Sequence, residues 1–575
     1  MTAERISKDE LYEMYSQAAG AYAQAIIVPY QLATKENVAL WQEYELSVWA
    51  FGNEVDTLTE AAWLVASGAN AVISDNWSLV ADVLTGVFTA NDTLTRTPVW
   101  TAHRGYSSKY PENSISACVG AYEVGADFAE IDVRLSSDGV VMLMHDDTID
   151  RTTNGKGTLS NMTYEQLKQY KLKHGGKVTD ETIPTFEELL QYFKDKDFKI
   201  LCEFKSSQSK LPKACVDLIK KYGMEKQVVF ISFNASLLTN VKQHMNTSTG
   251  YLVSAAPSAD ADDTAAMLNA YYERQNNVLS YHCTMAINYG GMTAEFLRDA
   301  TERGLTLFSW TYNLSSASMV SKMFHAGMNG LTTDDPQYLT NTVKGLKAPT
   351  LMYVLPEGTA KMKVESFTYG GKYTDISSKV TYTVIDNDGV ISIAADGTVT
   401  GLKEGSASFI ASYTTTLPDK STYTLYTQPV TVKVGEIQEL TLTGDSSYLL
   451  KDGVLTGVTE QTTLKTLLEN IVNAEAVKVY TADGEEITKE TALIGNGTLV
   501  SLNGIDTMVV VKGDVNGDGR VNIADYTLAK RSVLKTYTLS DVQAAGADVN
   551  GDGRVNIADY TLIKRHVLKT YNLYK

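Results

Sequence analysis

The sequence predicts a multidomain chain: a (β/α)8 TIM barrel, a β-sandwich, a small α+β domain and an all-α calcium-binding tail. Three observations carry that reading. Between residues 98 and 340, strand-like runs repeatedly end in polar residues, which is how a barrel of parallel strands builds its catalytic floor. Between 351 and 435, short alternating runs are separated by Asp-Gly turns, as in VISIAADGTVTGLKEGSASFIASY. At the C-terminus, the 24 residues from Asp514 recur from Asp548 with 22 identities, a period of 34.

Length and composition agree with this division. A chain of 575 residues suggests about four domains, more than one core serves. A formal net charge of −18, with no long basic run, argues against a nucleic-acid or anionic-membrane surface. No segment has the apolar length of a membrane span. The first residues, MTAERISKDELYEMY, lack the basic and apolar regions of a signal peptide. Six of the seven histidines lie within the barrel segment and only His566 lies outside, so the remaining domains are expected to be non-catalytic. All four cysteines fall there too, without zinc spacing. They are expected to be buried thiols, with Cys202 facing the helices, opposite to Glu203.

The polar residues at the strand ends form a chemical set. His103 and Arg104 follow VWTA, Glu130 and Asp132 sit two apart in FAEIDV, His145 follows VVMLM, and Glu203 and Lys205 sit two apart in KILCEFK. Residues two apart on a strand share a face, and carboxylates on a buried face require a cation. Three acidic oxygens suit a hard divalent ion, two histidines can exchange a proton, and Arg and Lys bind an anion. That combination fits metal-assisted phosphodiester cleavage. His174, His244, His282 and His325 have no such company and are assigned no role.

The motifs carrying these residues are AHRGYSSKYPENS, EIDVRLSSDGVVMLMHDDTIDRTTNGKG, PTFEELL, CEFK, FSWTYN and GLTTDDP, in this order over residues 98–340. The segment resembles the glycerophosphodiester phosphodiesterase family. The resemblance implies hydrolysis of glycerophosphodiesters to an alcohol and glycerol phosphate, with Glu130, Asp132 and Glu203 as ligands of a calcium or magnesium ion. It implies His103 and His145 as the acid/base pair, Arg104 and Lys205 as phosphate contacts, and Glu112, Asn113 and Trp310 at the substrate site. Two other readings are weighed against it. A phosphatidylinositol- or sphingomyelinase-type lyase would need an apolar lipid rim, and the TNGKGTLSN stretch is polar. A non-catalytic scaffold-borne binding module would not need the intact residue set.

The elements follow in order. Residues 1–95 contain ELSVWAFGNEVDTLTEAAWLVASGANAVISDNWSLVADVL, which parallels LTLFSWTYNLSSASMVSKMFHAGMNGLTTDDPQYLTNTV of the barrel. Trp49 matches Trp310, Gly68 matches Gly327, Asn70 matches Asn329 and Asp75 matches Asp334. The segment is expected to be the last two βα units of a second barrel, with open edges that dock poorly on the first. Met1 is then an internal start, and a signal peptide is expected to have been lost upstream. The catalytic barrel is placed at 96–345, with nine strand-like runs for eight places, one of them VLSYHC (278–283). The stretch 146–183 is expected to roof the site.

TNTVKGLKAPT (340–350) reads as a linker. Residues 349–435 resemble a bacterial Ig-like domain with Tyr382, Phe409 and Tyr413 in its core, and 436–511 a small α+β domain with a helix over 462–472. In the tail, 512–575, each copy opens on a calcium-type loop. Asp514, Asn516, Asp518, Arg520, Asn522 and Asp525 supply the first set of ligands, and Asp548, Asn550, Asp552, Arg554, Asn556 and Asp559 the second. No helical pattern precedes either loop. The duplication is similar to a dockerin module. It implies two calcium ions and attachment to a cohesin of an extracellular, cellulosome-type scaffold, with Ile523, Ala524, Ile557 and Ala558 as contacts in two equivalent orientations.

Overall fold

The structure, a computed structural model, describes residues 6, 8–253, 284–288, 297, 300, 302, 305–435, 440–443, 446–472, 474, 477–502 and 504–574. They fall into two compact units, essentially Leu11–Val434 and Gly435–Lys575.

The first unit opens on three parallel strands, β1 (Ala25–Pro29), β2 (Ser47–Gly52) and β3 (Ala71–Ser74), and a two-residue strand, β4 (Thr93–Leu94). The barrel strands follow as β5 (Val99–Ala102), β6 (Phe128–Leu135) and β7 (Val141–Leu143). A hairpin of β8 (Lys171–His174) and β9 (Lys177–Thr182) precedes β10 (Lys199–Phe204), β11 (Val228–Ser232) and β12 (Thr249–Val253). β13 (Thr284–Asn288), β14 (Leu307–Tyr312) and β15 (Gly330–Thr333) complete the set. Eight of these run parallel around a closed ring, β5-β6-β10-β11-β12-β13-β14-β15, and β15 returns to β5.

The surplus among the nine expected runs is resolved by β7. It pairs antiparallel with β6, Val133 opposite Leu143. Only Ser136 to Val140 separate the two strands, too short for a parallel crossover, and Gly139 at φ +85° turns the chain back. The run ending at His145 is therefore a flap on the ring, not a stave. The expected run 278–283, with His282 and Cys283, lies outside the described residues; the stave of that region is β13. Beyond the flap, the insertion has its own small core of Met142, Met144, Ile149, Leu159, Leu167, Leu172 and Ile183. Cys118, Cys202 and Cys215 are free and buried.

The N-terminal segment corrects an expectation. It carries three strands where two were expected, and it is seated on the barrel. Tyr15 and Tyr44 stack with ring centroids 4.2 Å apart. Tyr44 Oη donates to the Lys226 carbonyl at 2.9 Å, the Ser248 amide donates to Tyr15 Oη at 2.9 Å, and Glu43 pairs with Lys199. These partners start β10, β11 and β12, so the segment covers the N-terminal end of the ring, opposite to its catalytic floor. Glu45 lies against Gly250, where an added Cβ would meet Oε2 at 2.8 Å. Arg96 joins the matched turns of the two repeats, donating to the carbonyls of Gly68, Ala69 and Gly327 at 3.0–3.3 Å. Side chains and turns thus hold the segment to the barrel, while β1 and β3 remain the edges of their own sheet.

The rest of this unit is β-structure. Leu351–Val354, Val430–Val434, Gly405–Thr416 and Thr422–Tyr426 form one sheet with β4 at its edge, and Thr381–Asp386 pairs with the long strand Gly405–Thr416. Phe409 is fully buried, with Tyr382 and Tyr413 packed against the same core. The expected linker is not one: Val343–Lys347 is a strand paired antiparallel with Glu365–Thr368. Its VKGL alternation was short enough to pass for a connection.

In the second unit a five-stranded sheet carries a helix at Leu464–Leu468, shorter than the expected 462–472. The tail has three helices, Ile523–Val533, Asp541–Ala547 and Ile557–Val567. The middle one precedes the second loop directly, where none was expected. Ser540 caps it by accepting from the Gln543 amide while Gln543 reaches back, and the alanine-rich turn does the rest. Among the described residues no helix is long and apolar enough to cross a membrane.

Candidate active site

The C-terminal mouth of the ring gathers the expected residues. Glu130 and Asp132 come from β6 and Glu203 from β10, adjacent strands in which Glu203 is directly opposite Asp132. All three are at most 6% exposed, and each offers a carboxylate oxygen within 4.8 Å of the others. Glu130 Oε1 and Asp132 Oδ1 are buried with no hydrogen-bond partner, and Glu203 Oε1 meets only Lys205. Unsatisfied anionic oxygens at such depth are costly, and an oxygen-only donor set suits a hard cation. The residues present therefore fit a divalent ion.

Their electrostatics express the same crowding. Burial, then repulsion from Asp132 and Glu203, pushes the Glu130 carboxyl well above its usual range. Burial with Asp132 alongside pushes Glu203 up to about 7. Asp132 is held below its usual value, because Lys205 and Arg104 outweigh its burial. Lys205 Nζ lies 2.6 Å from Glu203 Oε1 and 3.5 Å from Asp132 Oδ1.

The turn after β5 is shaped by backbone as much as by side chains. Arg104 and Asn113 both adopt left-handed φ, +57° and +56°, and the Asn113 amide donates to the Arg104 carbonyl at 3.0 Å. The Arg104 amide donates to Glu130 Oε2 at 2.7 Å, and its guanidinium to Glu112 Oε1 at 2.9 Å. Gly105 is required, since a Cβ would lie 2.6 Å from the Ala117 carbonyl carbon. Asn113, 3% exposed, directs its side-chain amide wholly to Asp132. Glu112 is enclosed by Arg104 and Arg151, which hold its carboxyl below the usual range against its burial. Both residues thus brace the site from behind.

The two histidines face this cluster from different elements, His103 from the end of β5 and His145 from the flap. Behind each stands a carboxylate that sequence reasoning did not single out. His103 Nδ1 lies 2.7 Å from Asp334 Oδ1, and His145 Nδ1 lies 2.7 Å from Asp146 Oδ1. Arg151 then links Asp146 to Glu112 with contacts of 2.6–2.8 Å. The available signal was an acid beside each histidine or in a matching strand end, in MHDDTIDR and GLTTDDP. Burial lowers the His145 pKa, outweighing the carboxylates around it.

His103, Arg104, Glu130, His145, Glu203, Lys205 and Trp310 line one cavity of about 220 Å³ together with Phe233 and other apolar residues. Phe233 and Trp310 meet edge to face at 5.7 Å, and Lys205 Nζ lies 5.7 Å from the Phe233 ring centre. Polar groups able to hold an anion thus share the cavity with an aromatic pair.

In the tail, Asp548, Asp552 and Asp559 bring carboxylate oxygens within 4.8 Å of one another, and Ile523 and Ile557 are 64% and 63% exposed. The first loop has Asp514 and Asp525 fully buried, each wrapped by backbone amides.

Comparison with known proteins follows this division. The profile of the glycerophosphoryl diester phosphodiesterase family matches residues 103–338, and that of the dockerin type I domain residues 512–568. A glycerophosphodiester phosphodiesterase of Caldanaerobacter subterraneus subsp. tengcongensis is 34% identical over 248 residues, 42% of this chain and 96% of that protein. One from Bacillus altitudinis is 30% identical over 41% of this chain and 94% of its own length. Among solved structures, an Oleispira antarctica phosphodiesterase in complex with the product sn-glycerol-3-phosphate is 26% identical. The match covers 42% of this chain and 94% of that one, with a TM-score of 0.36.

Proposed function

The chain belongs to the glycerophosphoryl diester phosphodiesterase family, and from that premise we propose that its barrel cleaves glycerophosphodiesters by divalent-cation-assisted acid/base catalysis. It is a glycerophosphodiester phosphodiesterase that carries a C-terminal dockerin type I domain. The observation that carries the mechanism is the convergence of three buried carboxylates beside two histidines, each backed by its own carboxylate.

Glu130, Asp132 and Glu203 would hold the ion, calcium or magnesium, which supplies positive charge to the phosphate and the attacking hydroxyl. Arg104 and Lys205 orient the phosphodiester and offset charge that develops on its oxygens. His103 removes the proton of the glycerol 2-hydroxyl, whose oxygen attacks phosphorus. His145 delivers a proton to the leaving alkoxide. The cyclic phosphate so formed is opened by water with the two roles exchanged. Trp310 and Phe233 provide the wall for the glycerol carbons.

The tail binds two calcium ions and docks on a cohesin of an extracellular scaffold through Ile523-Ala524 or Ile557-Ala558. Residues 1–95 are read as a remnant of a second barrel, 96–345 as the catalytic barrel, 349–435 as an Ig-like spacer and 436–511 as a dockerin-associated domain. The deciding experiment is a panel assay with glycerophosphocholine, glycerophosphoethanolamine and a polyglycerolphosphate polymer, using metal-stripped and reconstituted protein. Cleavage that releases glycerol phosphate only after reconstitution is expected. Full activity in excess chelator, or in Glu203→Ala, overturns the cation's role.

A further inference from the structure

The two calcium loops are nearly identical in sequence and differ in surroundings. The first is covered by the domain that precedes it. The Asn496 amide donates to Asp514 Oδ2 at 2.9 Å, the Gln461 amide to the Gly519 carbonyl at 2.8 Å, and the Val521 amide to Glu460 Oε2 at 3.0 Å. The backbones approach so closely that a Cβ at Gly495 would overlap the Gly517 carbonyl oxygen, at 1.8 Å. Among the described residues nothing equivalent covers the second loop. A Cβ at Gly551 or Gly553 would meet nothing within 4 Å, and Asp548 is half-buried where Asp514 is fully buried.

One of the two differences between the repeats sits at this contact. Position 532 is Ser and its counterpart 566 is His; the other pair is Ala529 and Ile563, both fully buried inside the tail. His566 Nε2 lies 2.9 Å from Glu460 Oε1. Its Nδ1 accepts from the Leu573 amide at 3.3 Å, which puts the ring proton on Nε2 and makes it the donor to Glu460. Glu460 therefore spans the first loop, through Val521, and the helix of the second repeat, through His566. A serine at 566 would not reach.

We propose that the domain ahead of the tail closes the first calcium loop, so that the two calcium sites are functionally inequivalent: the first exchanges its ion slowly and the second freely. The inference rests on the reading of the tail as a two-calcium dockerin. Its consequence is that the internal twofold is not a functional symmetry. When calcium becomes scarce, the second repeat loses order first, and the helix Ile523–Val533 with exposed Ile523-Ala524 is left as the docking face.

The test is stopped-flow release of calcium from the full-length protein into a fluorescent chelator. The tail should release its ions in two phases whose rates differ by roughly tenfold or more, because charged hydrogen bonds hold only the first loop closed. Asp548→Ala should remove the fast phase and keep the slow one. His566→Ser, which restores the first repeat's residue, should accelerate the slow phase several-fold and leave the fast phase unchanged. Asp514→Ala/Asp548→Ala defines the release that does not come from the tail; if it equals the wild type, the two-calcium reading itself fails. Two tail ions released at one rate, a slow phase that disappears in Asp548→Ala, or an unaltered slow phase in His566→Ser overturns the inequivalence alone.

Discussion

Asn113 and Asp132 hold each other reciprocally: Asn113 Nδ2 donates to Asp132 Oδ2 at 2.7 Å, and the Asp132 amide donates to Asn113 Oδ1 at 2.9 Å. The pair fixes the orientation of the Asp132 carboxylate and leaves its Oδ1 without a hydrogen bond. A residue expected at the substrate thus acts on a candidate metal ligand.

Asn113→Ala should reduce stability and cation affinity together. It orphans a buried amide, at about 1–3 kcal/mol, and releases an oriented ligand, an effect of roughly 10–100-fold on affinity. Chemical denaturation and calorimetric cation titration measure the two; unchanged affinity would show that Asp132 is positioned by other contacts.

Asp334 and Asp146 should act through the histidines they touch. Asp334→Asn and Asp146→Asn keep the shape and remove the charge that orients each imidazole, so turnover should drop by about 10–100-fold with cation affinity retained. A pH–rate profile with one limb displaced in each variant is the expected signature. Identical profiles for both variants and the wild type would remove these carboxylates from the mechanism.

Glu203 makes the metal-free protein sensitive to pH. Its carboxyl is raised from 4.5 to about 7 by burial and by Asp132, so the folded state holds this proton more tightly than the unfolded chain. That stabilisation is complete below the unfolded value and is lost as pH rises through 7. In chelator, the Tm of the wild type should therefore fall more steeply between about pH 5 and 8 than that of Glu203→Gln. Cation affinity should rise over the same interval, because proton and ion compete for one group. Parallel Tm curves for the two proteins would contradict this.

Deletion of residues 1–94 should destabilise the barrel without altering its chemistry. Loss of the Tyr15, Tyr44 and Glu43 contacts, at about 1 kcal/mol each, corresponds to roughly 6–12 °C in Tm. Turnover per folded molecule should be unchanged, because the segment covers the end of the ring opposite to His103 and Glu203. An unchanged Tm would mean that the segment docks without contributing.

Much of the site was legible because it is written in local pattern. Carboxylates two apart on an apolar strand, as in Glu130 and Asp132, declare a shared buried face, and a loop of Asp, Asn and Gly at alternate positions declares its ligands. These constraints act within a few residues, and composition alone expresses them. What tertiary structure decided depends on partners distant in the chain. The ring takes eight staves because β7 folds back on β6, and His103 finds Asp334 only when β15 closes on β5. Residues 1–95 looked unable to seat on the barrel until Tyr44 and Glu45 met Lys226 and Gly250. The identical calcium loops differ because Glu460, Gln461 and Asn496 reach one of them. A hydrogen-bond partner more than a hundred residues away leaves no mark on local spacing, so its presence is decided by packing.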